Sequence, residues 1–128
     1  MKMESLNKLI INSCFFGKDN CFKCTLNSNK ECYLHWGIKK DNKYAWIKAK
    51  FGLAEIGLIV RVLNGRKNTA SFFHSFNDKK AQFWINNKDE FVFFRAKANT
   101  LDISKSLNEG EQEVLAVLLR DVIVRMNS

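Results

Sequence analysis

From residue 43 onward the chain alternates. Tyr44, Trp46, Lys48 and Lys50 fall on one side of an extended segment, and Ala45, Ile47, Ala49 and Phe51 on the other. That period of two marks a half-buried strand. Residues 56–63 form a second apolar run, closed by Asn64-Gly65 and followed by an extended stretch over 69–76. Ile59, Val60 and Val62 are β-branched and Gly57 weakens a helix, so this run is expected as a strand entering an Asn-Gly hairpin. The competing reading is a helix from Leu53 to Leu63 ended by the same Asn-Gly. Residues 81–86 and 90–99 predict another hairpin, joined through Asn87, Lys88 and Asp89. In its second strand Phe91, Phe93, Arg95 and Lys97 share one face, and Val92, Phe94, Ala96 and Ala98 the other.

After a short strand over 101–104 the period lengthens. Leu115, Leu118, Leu119, Val122, Ile123 and Met126 recur at helical spacing. Ser106 with Glu109, or Asn108 with Glu111, offers a capping box, and the acids of the first turns suit the helix dipole. At the other end, Ser5 is expected to cap a short helix through Leu6, Leu9 and Ile10. Turn-forming Gly, Asp, Asn and Ser residues then crowd the segment up to about residue 30, which predicts a loop. The expected fold is α+β: an antiparallel β-sheet packed by a long C-terminal amphipathic helix, with an N-terminal metal-stabilised four-cysteine loop. One domain is expected over 1–128, comprising a cysteine module (1–38), a sheet (39–104) and a helix (105–128). No internal repeat is visible.

A chain of 128 residues with 46% hydrophobic and 27% charged residues is globular in type. It has no apolar run of membrane-spanning length and no secretory cleavage pattern, so a cytoplasmic, intracellular protein is expected. The bias towards Lys, Asn, Phe and Ile, with no proline, is what AT-rich coding would impose. The net charge of +8 is nevertheless uneven: the last 28 residues carry three basic against five acidic side chains, so the positive field belongs to the first hundred. Gly-rich phosphate loops, serine-hydrolase elbows and clustered carboxylates are missing, and no enzyme is expected.

Cys14, Cys21, Cys24 and Cys32 follow the spacing C-x6-C-x2-C-x7-C. A C-x2-C pair lets one turn aim two thiolates at one ion, and the outer cysteines would close a four-sulfur shell. The expected cofactor is zinc or a [4Fe-4S] cluster, about level, with His35 as an alternative zinc ligand. Ordinary buried thiols are the competing reading. The first three cysteines resemble the iron–sulfur loop of endonuclease III-type DNA glycosylases over about nineteen residues. The last gap departs from that family, whose catalytic elements are not recognisable here.

Two strand faces mix aromatic with basic side chains, the chemistry by which proteins stack bases and neutralise phosphates. Trp46 and Phe93 are expected to stack, and Lys48, Lys50, Arg61, Arg95 and Lys97 to meet phosphates. A solvated lysine face and a phenylalanine core would look much the same. The order of elements over residues 40–128 resembles the Whirly and transcriptional-coactivator group of single-strand binders. That resemblance implies binding across the sheets and a homodimer through the helix. The expected function is nucleic-acid binding, with single-stranded DNA favoured and RNA as the alternative ligand. The runner-up is a phage- or virus-type inhibitor or adaptor that docks on a protein partner, and a weaker alternative is an iron–sulfur redox sensor.

Overall fold

Antiparallel pairing between chain neighbours accounts for most of the backbone. The computed structural model describes residues 8–128. Four strands, β1 (Leu9–Phe16), β2 (Asn20–Asn27), β3 (Cys32–Lys40) and β4 (Lys43–Phe51), lead into helix α1 (Leu53–Leu63). Four more, β5 (Thr69–Phe76), β6 (Lys79–Lys88), β7 (Phe91–Ala98) and β8 (Leu101–Leu107), lead into helix α2 (Glu109–Met126). Each set of four forms its own antiparallel sheet in sequence order. The chain is thus a ββββα unit used twice, a repeat of structure with no counterpart visible in the sequence.

Tight turns set these registers. Lys40 pairs with Lys43 around Asp41-Asn42, and Phe76 with Lys79 around Asn77-Asp78. All four turn residues have positive φ, between 49° and 65°, as a two-residue turn matched to strand twist requires. Asn and Asp tolerate that conformation better than other residues with a β-carbon.

The two sheets face each other across one core. Phe22 meets Phe94 with ring centroids 4.7 Å apart, Trp36 meets Phe83 at 5.0 Å, and Phe51 meets Phe83 at 5.1 Å. The helices close the core against each other and against the second sheet, burying Ile56, Ile59, Val62, Leu115, Leu119 and Val122.

Several expectations are met. The alternation in β4 and β7 is as read, and α2 starts with the Asn108–Glu111 box, Asn108 Oδ1 accepting from Glu111 N at 2.9 Å. Others are corrected. Residues 56–63 belong to α1, not to a strand. Gly52 caps that helix, its N–H donating to Glu55 Oε1 at 2.9 Å, and Gly65 at φ +73° turns the chain away. The expected cysteine loop is strand: Cys14 lies on β1, Cys21 and Cys24 on β2, and Cys32 on β3. The boundary drawn at 38–39 therefore falls inside the first sheet, and the one drawn at 104–105 falls inside β8. Leu9 and Ile10 begin β1 instead of ending a helix. Ser5 and Leu6, the other half of that expected helix, lie outside the described residues.

Candidate nucleic-acid interface

Strand parity decides what each face of the first sheet carries. Phe22, Cys24 and Leu26 on β2, with Cys32, Leu34 and Trp36 on β3, point into the core and are fully buried. The intervening residues make the outer face, and the pairing registers arrange them in transverse rows. Thr25, Tyr33 and Lys50 form one row; Cys14, Lys23, His35 and Lys48 the next; Phe16, Cys21, Gly37 and Trp46 a third. On one face such rows repeat at roughly 7 Å, twice the rise of a strand residue.

The same parity separates the four cysteines. Cys24 and Cys32 stand 3.9 Å apart, sulfur to sulfur, among core side chains. Burial and the neighbouring Cys32 push the Cys24 thiol well above its ordinary range, the shared hydrogen bond leading. Cys14 and Cys21 lie on the outer face. Burial first, then Cys14, raises Cys21 to about 11. The fold therefore brings the thiols together as two pairs on opposite sides of a sheet, not as one shell. Among the described residues no three His, Cys, Asp or Glu side chains are grouped to hold a metal ion. His35 shares the outer face, where its Nε2 lies 3.0 Å from Thr25 Oγ1.

Trp46 is held in place. Its Cα partner is Gly37, and the indole reaches across that bare position: a β-carbon there would come 2.8 Å from both the Trp46 ring and Cys21 Sγ. His35 meets the indole edge-on at 6.4 Å, and Tyr44 lies 5.6 Å away. Lys23 Nζ stands 5.3 Å from the centre of the Trp46 ring, and Lys48 Nζ 4.7 Å from that of Tyr33. Trp46 still leaves 43% of its surface open.

Beyond β4 this face runs into a groove of about 830 Å³. Tyr33, Trp46, Lys48 and Lys50 form one wall, and Phe73, Lys79 and Lys80 from β5 and β6 come from the second sheet. Phe73 is 61% exposed. Glu55, the acid on the lining, is occupied by Gly52 N and by His74 Nε2 at 2.8 Å. Lys50 is paired with Glu31 at 3.2 Å, whereas Lys48, Lys79 and Lys80 make no ion pair among the described residues.

The residues singled out from sequence thus divide. Trp46, Lys48 and Lys50 share the outer face of the first sheet and the groove. Phe93, Arg95 and Lys97 lie on the outer face of the second sheet, away from the groove lining. Phe93 is half-buried, and Arg95 is engaged bidentately by Asp102 at 2.7 and 2.9 Å and stacked on Trp84. Arg61 is exposed on α1, so it does not join a sheet face as expected. Half-buried Lys23 and Tyr33 and buried His35 also belong to this face, which the sequence does not reveal because they lie in the segment expected as a metal loop. With Cys counted as apolar, β2 and β3 alternate around them.

No protein-family model matches the chain, and no curated protein matches it. Among solved structures it is similar to MRP1/MRP2 of Trypanosoma brucei, with a TM-score of 0.69 at 10% identity over 94% of this chain and 86% of that one. At that identity the likeness is one of fold.

Proposed function

We propose that this chain is a small nucleic-acid-binding protein that takes a single strand, DNA in the first place, across the outer face of its first sheet and along the adjoining groove. The observation that carries the reading is the conjunction of exposed rings with lysines that make no ion pair among the described residues: Trp46 and Phe73 beside Lys48, Lys79 and Lys80. A stable sheet does not need its outer face furnished in this way. Bases would stack on Trp46 and Phe73, each worth roughly 1–3 kcal/mol, while the lysines meet backbone phosphates. The resemblance of residues 40–128 to the Whirly and transcriptional-coactivator group points the same way. A second copy of the chain would dock along α2, where Val114, Val117 and Val124 stand 57–66% exposed.

The test is a tryptophan-fluorescence titration with oligo-dT at several salt concentrations. Trp36 is buried and Trp84 is covered by Arg95, so quenching reports on Trp46 and disappears in Trp46→Phe. Three phosphates met by Lys48, Lys79 and Lys80 give a log–log salt slope of about −2, at roughly 0.7 per single-strand contact. An unquenched protein at low salt rejects the reading and leaves protein docking as the use of this face.

A further inference from the structure

The row of the first sheet between Tyr33 and Trp46 has a composition that stacking does not explain. Lys23, His35 and Lys48 are direct Cα partners across β2, β3 and β4. The outer two strands of such a trio lie about 10 Å apart, a span that two lysine side chains can bridge over the imidazole between them. We infer that Lys23, His35 and Lys48 form a phosphate subsite, which seats one backbone phosphate of the bound strand between the platforms of Trp46 and Tyr33. This inference rests on the single-strand reading.

Three observations support it. First, neither Lys23 nor Lys48 makes an ion pair among the described residues, in contrast to Lys50 with Glu31 and Arg95 with Asp102. Each ammonium is set over a ring instead, Lys23 at Trp46 and Lys48 at Tyr33. A base arriving on either ring displaces the ammonium towards the phosphate that accompanies it. Second, His35 forms a floor that is 9% exposed and fixed by Thr25. Third, among the described residues no carboxylate stands in the rows around it. The titratable and charged groups on that face are Cys14 and Cys21 on β1 and β2, Lys23, Tyr33, Lys39, Tyr44, Lys48, and Lys50 with its partner Glu31.

This arrangement links binding to protons. Burial above all, then the charges of Lys23 and Lys48, hold His35 down at about 4. A phosphate between the two lysines cancels their field and adds a negative charge above the ring. The imidazole then takes up a proton more readily, so affinity rises as the medium becomes more acidic.

The experiment follows the His35 imidazole by NMR in the full chain, with its signals identified by their loss in His35→Gln. Oligo-dT and, separately, inorganic phosphate are titrated in between pH 5 and 7. The expected result is a shift of the His35 resonances with both probes, an upward move of its titration with oligo-dT, and oligo-dT affinity that tightens towards pH 5. Lys48→Gln and Lys23→Gln each weaken oligo-dT binding by about tenfold and abolish that tightening. His35→Gln removes the tightening while keeping most of the affinity at pH 7. If oligo-dT quenches Trp46 but leaves His35 and the lysine variants indifferent, the subsite is wrong and the single-strand reading stands. If oligo-dT does not bind, both fall.

Discussion

Gly37→Ala is the most informative single change, because one methyl group tests whether Trp46 is positioned by its partner. The backbone at Gly37 is not in the left-handed region, so alanine meets no conformational obstacle. In an unobstructed strand interior the change would stabilise by about 0.5–1 kcal/mol. Here the new carbon lands 2.8 Å from Cys21 Sγ and 2.8 and 2.9 Å from two carbons of the indole. The buried sulfur has nowhere to go, so the ring must swing. Overpacking of this kind costs about 1–3 kcal/mol. The assay is a double-mutant cycle by urea denaturation of wild type, Gly37→Ala, Trp46→Ala and the pair. Removing the indole relieves two of the three close approaches, so Gly37→Ala should be less damaging in the Trp46→Ala background by about 1 kcal/mol or more. Gly37→Ala should also weaken oligo-dT binding by roughly the worth of one stacked base, about 1–3 kcal/mol. An equal cost of Gly37→Ala in both backgrounds would refute the argument that Gly37 seats the ring.

His35 predicts a loss of stability in acid. Above pH 6.5 it is neutral in both states; as pH falls the unfolded chain takes the proton first, while the folded chain resists until about 4. That gap corresponds to about 3 kcal/mol, present above pH 6.5 and gone below 4, and His35→Gln should flatten the decline seen in denaturation between those limits. Asn108→Ala removes the side-chain acceptor of the α2 box and should cost about 1 kcal/mol, read as a drop in Tm of about 4 °C. Arg95→Ala should leave the salt slope of oligo-dT binding unchanged, because Asp102 already holds its guanidinium, whereas Lys48→Gln should flatten that slope by about 0.7.

The legible parts of this sequence are those in which one physical signal acts alone. In β4 and β7 the period of two separates Ile47 and Phe51, or Val92 and Phe94, cleanly from charged neighbours. In α2 the capping box, acidic first turn and apolar stripe all agree. The first helix is harder to read because β-branched Ile59, Val60 and Val62 argue for a strand. Burial of Ile56, Ile59, Val62 and Leu63 outweighs that local preference, and Gly57, with nothing near its missing side chain, is simply tolerated. The amino-terminal strands are hidden by the cysteines. Cys24 and Cys32 behave as small apolar core residues, yet their spacing suggests ligands. The true turns there are only 17–19 and 28–31, not the whole stretch. The site was half legible: Trp46, Lys48 and Lys50 could be placed on one face, but their neighbours Lys23, His35 and Phe73 come from strands whose register only the fold reveals.

Pairing confined to chain neighbours has a kinetic consequence. Every strand finds its partner across a short connection, so hairpins can close in microseconds and each sheet can zip up without a long search. The contacts that span the chain join the two halves: sheet on sheet, such as Phe22 on Phe94 and Trp36 on Phe83, and α1 on α2. Until they form, each sheet carries an uncovered aromatic surface. Docking of the two halves is therefore the expected slow step of folding, and the interval before it is when a neighbouring chain can most easily intrude.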